Sequence, residues 1–148
     1  MPNWCHNEIT IHCTSSEEYK EIKNFLASEK QEFDFEKIVP MPEHIFRGNL
    51  GKEEEEKYGK ENCWYDWCCK NWDTKWNAFD VSFEDDPEHQ ETLEYEFDTA
   101  WSPPANIYKT LKNKFPSSSI FWFYREDGME FSGYLHREID SDDIDNQD

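Results

Sequence analysis

The sequence is short of glycine, with five in 148 residues, and has no glycine-rich loop of the kind that cradles phosphate. That sets aside nucleotide-binding turns. No apolar run approaches the roughly 20 residues a membrane helix requires, so no membrane partner is expected. The opening Met1-Pro2-Asn3-Trp4 has neither a basic region nor an apolar stretch and does not read as a secretory signal. The five cysteines (Cys5, Cys13, Cys63, Cys68, Cys69) are odd in number and include no C-x-x-C pair. Disulfides, a structural zinc site and any cofactor are therefore not expected; the thiols read as small buried hydrophobes in a reducing cytoplasm. There is no nucleophile elbow and no compact Cys/His motif, so the chain does not read as an enzyme and no catalytic residue is assigned.

Aromatic residues are plentiful, at 17% with seven Trp. A disordered chain lacks them, so the composition points to a folded, soluble protein with one sizeable core. Positive charge is scarce: 15 bases stand against 34 acids, for a net charge of −19. The acidity is focused. Residues 80–98 hold nine acids (Asp80, Glu84, Asp85, Asp86, Glu88, Glu91, Glu94, Glu96, Asp98) and no Lys or Arg. Residues 126–148 hold nine more with only Arg137. The Glu53–Glu56 run is offset by Arg47, Lys52, Lys57 and Lys60.

Alternation over residues 7–13 predicts a half-buried strand with Ile9 and Ile11 inside. Thr14 and Glu17 are spaced as a capping box, and Tyr19, Ile22, Phe25 and Leu26 follow at helical spacing. Phe33 to Pro42 reads as extended. Residues of about 43–72 form an insert, polar at first, then a short helix with Trp64, Trp67, Cys68, Asn71 and Trp72 on one face. Trp76 to Phe83 reads as a strand, Asp86-Pro87 as a turn, and Leu93, Tyr95, Phe97 and Thr99 as the inner face of the clearest strand. Ser102 reads as the N-cap of a second helix, with Pro103 at its first position and Ile107, Leu111 and Phe115 on its apolar face. Two last strands meet at Asp127-Gly128. Without the insert and the last strand the order is βαββαβ. That predicts a ferredoxin-like α+β domain over residues 1–137: an antiparallel sheet, two helices on one face, and a mobile acidic tail over 138–148.

The blocks MPNWCHNEITI, FDFEKIVPMP, NWDTKWNAFD and YEFDTAWSPP, with the closing E-D-G hairpin, resemble the YubB-type ferredoxin-like domain of plasmid and phage proteins from Met1 to about Gly133. The resemblance implies that fold and a mobile-element setting, and it brings no catalytic residues. Asp73 stands between Trp72 and Thr74 where the family pattern leads one to expect glycine, a position suited to positive φ.

Two binding surfaces follow. Glu94, Glu96 and Asp98 stand about 7 Å apart on one strand face. Such a rigid row matches the phosphates of a nucleic-acid strand, and it is the core of an expected partner site with the other acids of 80–98. The expected partner is a basic, nucleic-acid-handling host protein such as a defence nuclease, and the expected role is an anti-CRISPR-like or other anti-defence inhibitor acting as a nucleic-acid mimic. Direct binding of nucleic acid is disfavoured by the net charge. The alternative is a groove of Asn3, Trp4, Trp72, Lys75, Trp76 and Trp101 that takes a peptide or a single strand. Against both surfaces, the four Trp can equally pack as core, and the charge can serve solubility alone.

Overall fold

The computed structural model describes residues 3–139 except 86, 87 and 89. Strands β1 (Trp4–His12), β2 (Phe79–Phe83), β3 (Thr92–Ala100), β4 (Ser119–Glu126) and β5 (Phe131–Tyr134) form one antiparallel sheet in the order β2-β3-β1-β4-β5. Helix α1 (Ser16–Leu26) follows β1, and after the short α2 (Phe35–Ile38) comes the insert with α3 (Lys52–Tyr58), a 3-10 turn (Lys60–Asn62) and α4 (Trp64–Asn71). Helix α5 (Ala105–Lys114) joins β3 to β4. The underlying order is βαββαβ, the ferredoxin-like arrangement, with β5 as the added edge strand.

Strand alternation decides the two faces. Cys5, Asn7, Ile9 and Ile11 of β1 are buried beside Leu93, Tyr95, Phe97 and Thr99 of β3 and Ile120, Trp122 and Tyr124 of β4. Onto this face α1 lays Tyr19, Ile22 and Leu26, and α5 lays Ile107, Tyr108 and Leu111. Trp122 is wholly buried, and its Nε1 donates to Asn7 Oδ1 at 3.0 Å. The Asn7 amide in turn donates to Cys5 O and Thr99 Oγ1. The core amide therefore has the partners that a buried polar group requires. Glu126 is buried too, and its carboxylate accepts the backbone N–H groups of Gly128 and Met129, which closes the hairpin at the predicted Asp127-Gly128. At Gly128 the Asn3 side chain packs close to the backbone, 2.6 Å from where a Cβ would stand, so any side chain there would have to displace it.

Local signals were misread at several points. The first cap is one residue later than the sequence suggests: Ser15 Oγ accepts Glu18 N–H, and Glu18 Oε1 accepts Thr14 N–H. The 33–42 segment is not wholly extended, because Asp34 caps the single turn of α2 through Glu36 N–H. Strand β2 begins at Phe79 rather than Trp76. Ser102 is not a helix cap. Two successive prolines disfavour helical geometry in the residue before each, so α5 starts only at Ala105, after Pro104. The Ser102 hydroxyl donates instead to Asp73 O at 2.6 Å. The cap comes from 33 residues upstream: Asp73 Oδ2 accepts Asn106 N–H at 2.8 Å. Asp73 has φ of 65°, the left-handed geometry that glycine adopts most easily. Residues 135–139 are helical, and Glu138 accepts the Tyr124 hydroxyl, so the chain is still anchored at 138, where the acidic tail was expected to begin. The rest of that tail, from 140, and the Asp86-Pro87 turn lie outside the described residues.

Candidate functional site: the open face of the sheet

The face opposite the helices is set by the even-numbered residues of β1, and strand register arranges it in cross-strand rows. One row runs Phe79, Asp98, His6, Arg125. The next runs Ser82, Glu96, Glu8, Phe123, Tyr134. A third runs Glu94, Thr10, Phe121. Carboxylates thus occupy the β3–β1 half and rings the β4–β5 half. Glu8 and Glu96 are directly opposed, a like-charge pairing that a sheet normally avoids.

The predicted acids divide. Glu94 and Glu96 are exposed and Asp98 is half-buried on the open face, with Asp98 Oδ1 against His6 Nδ1 at 3.1 Å. Glu84 lines a small cleft with Glu94 and Glu96. Asp80, at the β2 bulge with φ of 57°, Glu88 and Glu91 are exposed outside these rows. Asp85 does not belong to the row. It accepts Lys23 Nζ at 2.5 Å and Tyr19 OH at 2.6 Å, and these bonds hold its carboxyl below the usual Asp range while pinning the loop to α1. Asp86 lies outside the described residues. Glu8 and His6 were missed: alternation over 7–13 puts Glu8 on the polar side of β1 and stops short of His6, and only register shows both beside β3.

The six residues of the alternative groove do not line one groove. Trp72 is core, 3% exposed, with Nε1 donating to Val39 O. Trp101, read in one alternative as core, is 48% exposed, with φ of 73° at the end of β3. Trp4, Trp76 and Phe79 make an aromatic cluster at the sheet edge, with Trp4 stacked on Phe79 at 5.1 Å and 5.9 Å from Trp76. Lys75 Nζ lies 4.5 Å from the Trp76 ring centre and 6.0 Å from that of Trp101. Asn3 sits against Gly128. Because Phe79 pairs with Asp98, the cluster adjoins the end of the acidic row. An open groove of about 760 Å³ on its other side includes Trp72, Lys75, Trp76, Trp64, Arg47 and Glu36. Burial, with Asp34 adding to it, pushes the Glu36 carboxyl up.

Burial holds the thiols in their neutral form: it pushes Cys5 and Cys68 up to about 12 and Cys13 to about 11. Among the described residues, His6, Glu8 and Glu96 bring one donor atom each within 4.8 Å of one another. One imidazole and two exposed carboxylates could hold only a weak, exchangeable cation, unlike the closed four-ligand set of a structural zinc. No helix among the described residues is long and apolar enough to cross a membrane.

Comparison with known proteins finds a family match. The family model described as a ferredoxin-like domain in Api92-like protein covers residues 71–147, from the end of α4 through β2, β3, α5, β4 and β5. No curated protein and no solved structure matches the chain. The match spans just over half of the sequence and agrees with the strand order above, so the chain belongs to the family of ferredoxin-like domains found in Api92-like proteins.

Proposed function

We propose that this chain is a binding protein of a phage or plasmid that docks its open sheet face on a basic, nucleic-acid-handling host protein and blocks it by occupancy, as an anti-CRISPR-like or other anti-defence inhibitor in the host cytoplasm. The mobile-element setting is supported by the resemblance of its motif blocks to YubB-type domains. The observation that carries the reading is the placement of Glu8, Glu94, Glu96 and Asp98 on the face of the two most regular strands that no described helix covers. Carboxylates fixed by a sheet lose little conformational entropy on binding, which a flexible acidic tail could not match. The exposed ring of Phe79, paired with Asp98, and that of Trp76, reached through Trp4, supply an apolar anchor at one end of the row, as productive interfaces require.

Replacing Glu94 and Glu96 by Gln and Asp98 by Asn tests the reading. Wild type and variant, immobilised side by side, are exposed to host lysate, and association rates of the captured protein are measured against salt. A basic nucleic-acid-handling protein associating about tenfold or more slowly with the variant is expected, with the difference shrinking as salt rises. Equal rates would reject the acidic row. Substituting the offset Glu53–Glu56 run is expected to change little. A second reading has its own support: the cluster of half-buried Trp4 with exposed Trp76 and Phe79, and the exposed Trp101 linked to it through Lys75, stacks a peptide or single strand. Loss of binding on Trp76→Ala with salt dependence unchanged would favour it.

A further inference from the structure

We propose that the open face contains a subsite for one arginine side chain of the partner, at the junction of its acidic and aromatic halves. The proposal rests on the docking reading above and adds to it the identity of the group recognised. The row Glu96, Glu8, Phe123, Tyr134 sets two carboxylates next to two rings on adjacent strands. Directly opposed side chains in such a row have Cβ atoms about 5 Å apart. Over the Glu8 side of this junction lies a cavity of about 400 Å³ lined by Glu8, Thr10, Phe121, Trp122, Phe123, Tyr134, His136 and Arg137.

Three features select a guanidinium. The opposed Glu8 and Glu96 are like charges with the His6 ring beside them, its Nε2 3.6 Å from Glu8 Oε1, and a full cation against the pair offsets the repulsion. Phe123, paired with Glu8 across the strands, lines the same cavity as Glu8 with a half-buried ring tilted against Tyr134, and an aromatic ring attracts a planar cation. A guanidinium stacks and donates along its edge to a carboxylate at once, whereas an ammonium is a compact, strongly hydrated point charge. The chain's own Arg137 shows that this wall accepts such a group: its guanidinium carbon lies 4.7 Å from the Tyr134 ring centre. Arg137 stands over the outer ring, while Glu8 and Phe123 line the rest of the cavity. A second copy of this chain is a poor occupant, because two molecules at −19 repel.

Fluorescently labelled hepta-arginine and hepta-lysine peptides, equal in charge, separate this subsite from simple attraction. Binding is measured at about 0.15 M salt, where long-range attraction is damped, with chelator present to keep divalent ions off Glu8 and Glu96. Wild type is expected to bind the arginine peptide about tenfold more tightly. Phe123→Leu and Glu8→Gln are each expected to reduce that preference to near unity, and Phe123→Tyr, which keeps the ring, to preserve it. Should Phe123→Leu fail to fold, the exposed Glu8→Gln and the Phe123→Tyr control still decide. Equal affinity for the two peptides on wild type, or a preference that survives Glu8→Gln, overturns the subsite. Failure of the docking reading looks different: neither peptide is weakened by the triple substitution of Glu94, Glu96 and Asp98. Absence of binding by both peptides overturns subsite and reading together.

Discussion

The two faces of the sheet follow opposite rules, although they share every backbone hydrogen bond. On the helix side Asn7 and Glu126 are buried, and the fold supplies their partners: an indole N–H and a threonine hydroxyl for the amide, and two turn N–H groups for the carboxylate. On the open side Glu8 faces Glu96 across the central pair of strands. A sequence selected for stability alone has no reason to keep that pairing. Local rules tend to be broken where a partner is to be met, and the compensation on the helix side makes the breach affordable.

The contrast is broken most severely from within. Trp122 lies at the centre of the core, touching Phe33, Phe97 and Tyr108. Trp122→Ala is expected to cost about 3–5 kcal/mol in a denaturant titration, with the orphaned Asn7 carbonyl adding to the loss of packing. Trp101→Ala, at an exposed ring, is expected to cost about 1 kcal/mol or less. Comparable losses for the two would mean that Trp101 is covered in solution.

The junction between the insert and α5 gives a smaller effect with a sharper sign. Asp73 combines left-handed backbone geometry with the cap on Asn106 N–H. Asp73→Ala removes the cap and places a Cβ residue less suited to positive φ there, so a cost of about 1–2 kcal/mol is expected. Asp73→Gly loses the cap but relaxes the backbone, so its cost is expected to be smaller. Thermal unfolding of both variants measures the difference, and an equal loss would mean that backbone strain at Asp73 contributes nothing.

The same junction shows what could be read along the chain. The βαββαβ order and the inner faces of β1 and β3 were legible, because a strand buried on one side writes its burial as strict alternation. Residue 73 was legible as a special backbone position, but not as a cap, because its partner lies 33 residues away and no local motif links them. Ser102-Pro103 misled because the rule for caps was satisfied locally, while Pro104 delayed the helix. The Trp residues could not be sorted: Trp72 and Trp76 share one motif yet end at 3% and 38% exposure, since the end of a helix turns one inward and the other out. The acidic row was visible within β3. Its neighbours Glu8 and Phe123 were not, because register between strands distant in sequence is absent from any one segment.

The smallest expected effect tests whether the open face is strained in the free protein. Glu96→Gln keeps the size and polarity of an exposed side chain while removing one of two opposed charges. Relief of a directly opposed like-charge pair is expected to raise stability by roughly 0.2–1 kcal/mol in dilute buffer. At 1 M salt the Debye length falls to about 3 Å, less than the separation of opposed side chains, and the gain should fade. The sign is what matters. A helix-side carboxylate such as Glu126 would lose stability on the same change, because an amide accepts its two turn N–H groups less strongly than a carboxylate does. If Glu96→Gln also destabilises, and does so regardless of salt, then Glu96 is held by a bound cation or a shared proton. The face would then not be a preformed row of free negative charge, and docking on a basic partner would lose its physical basis.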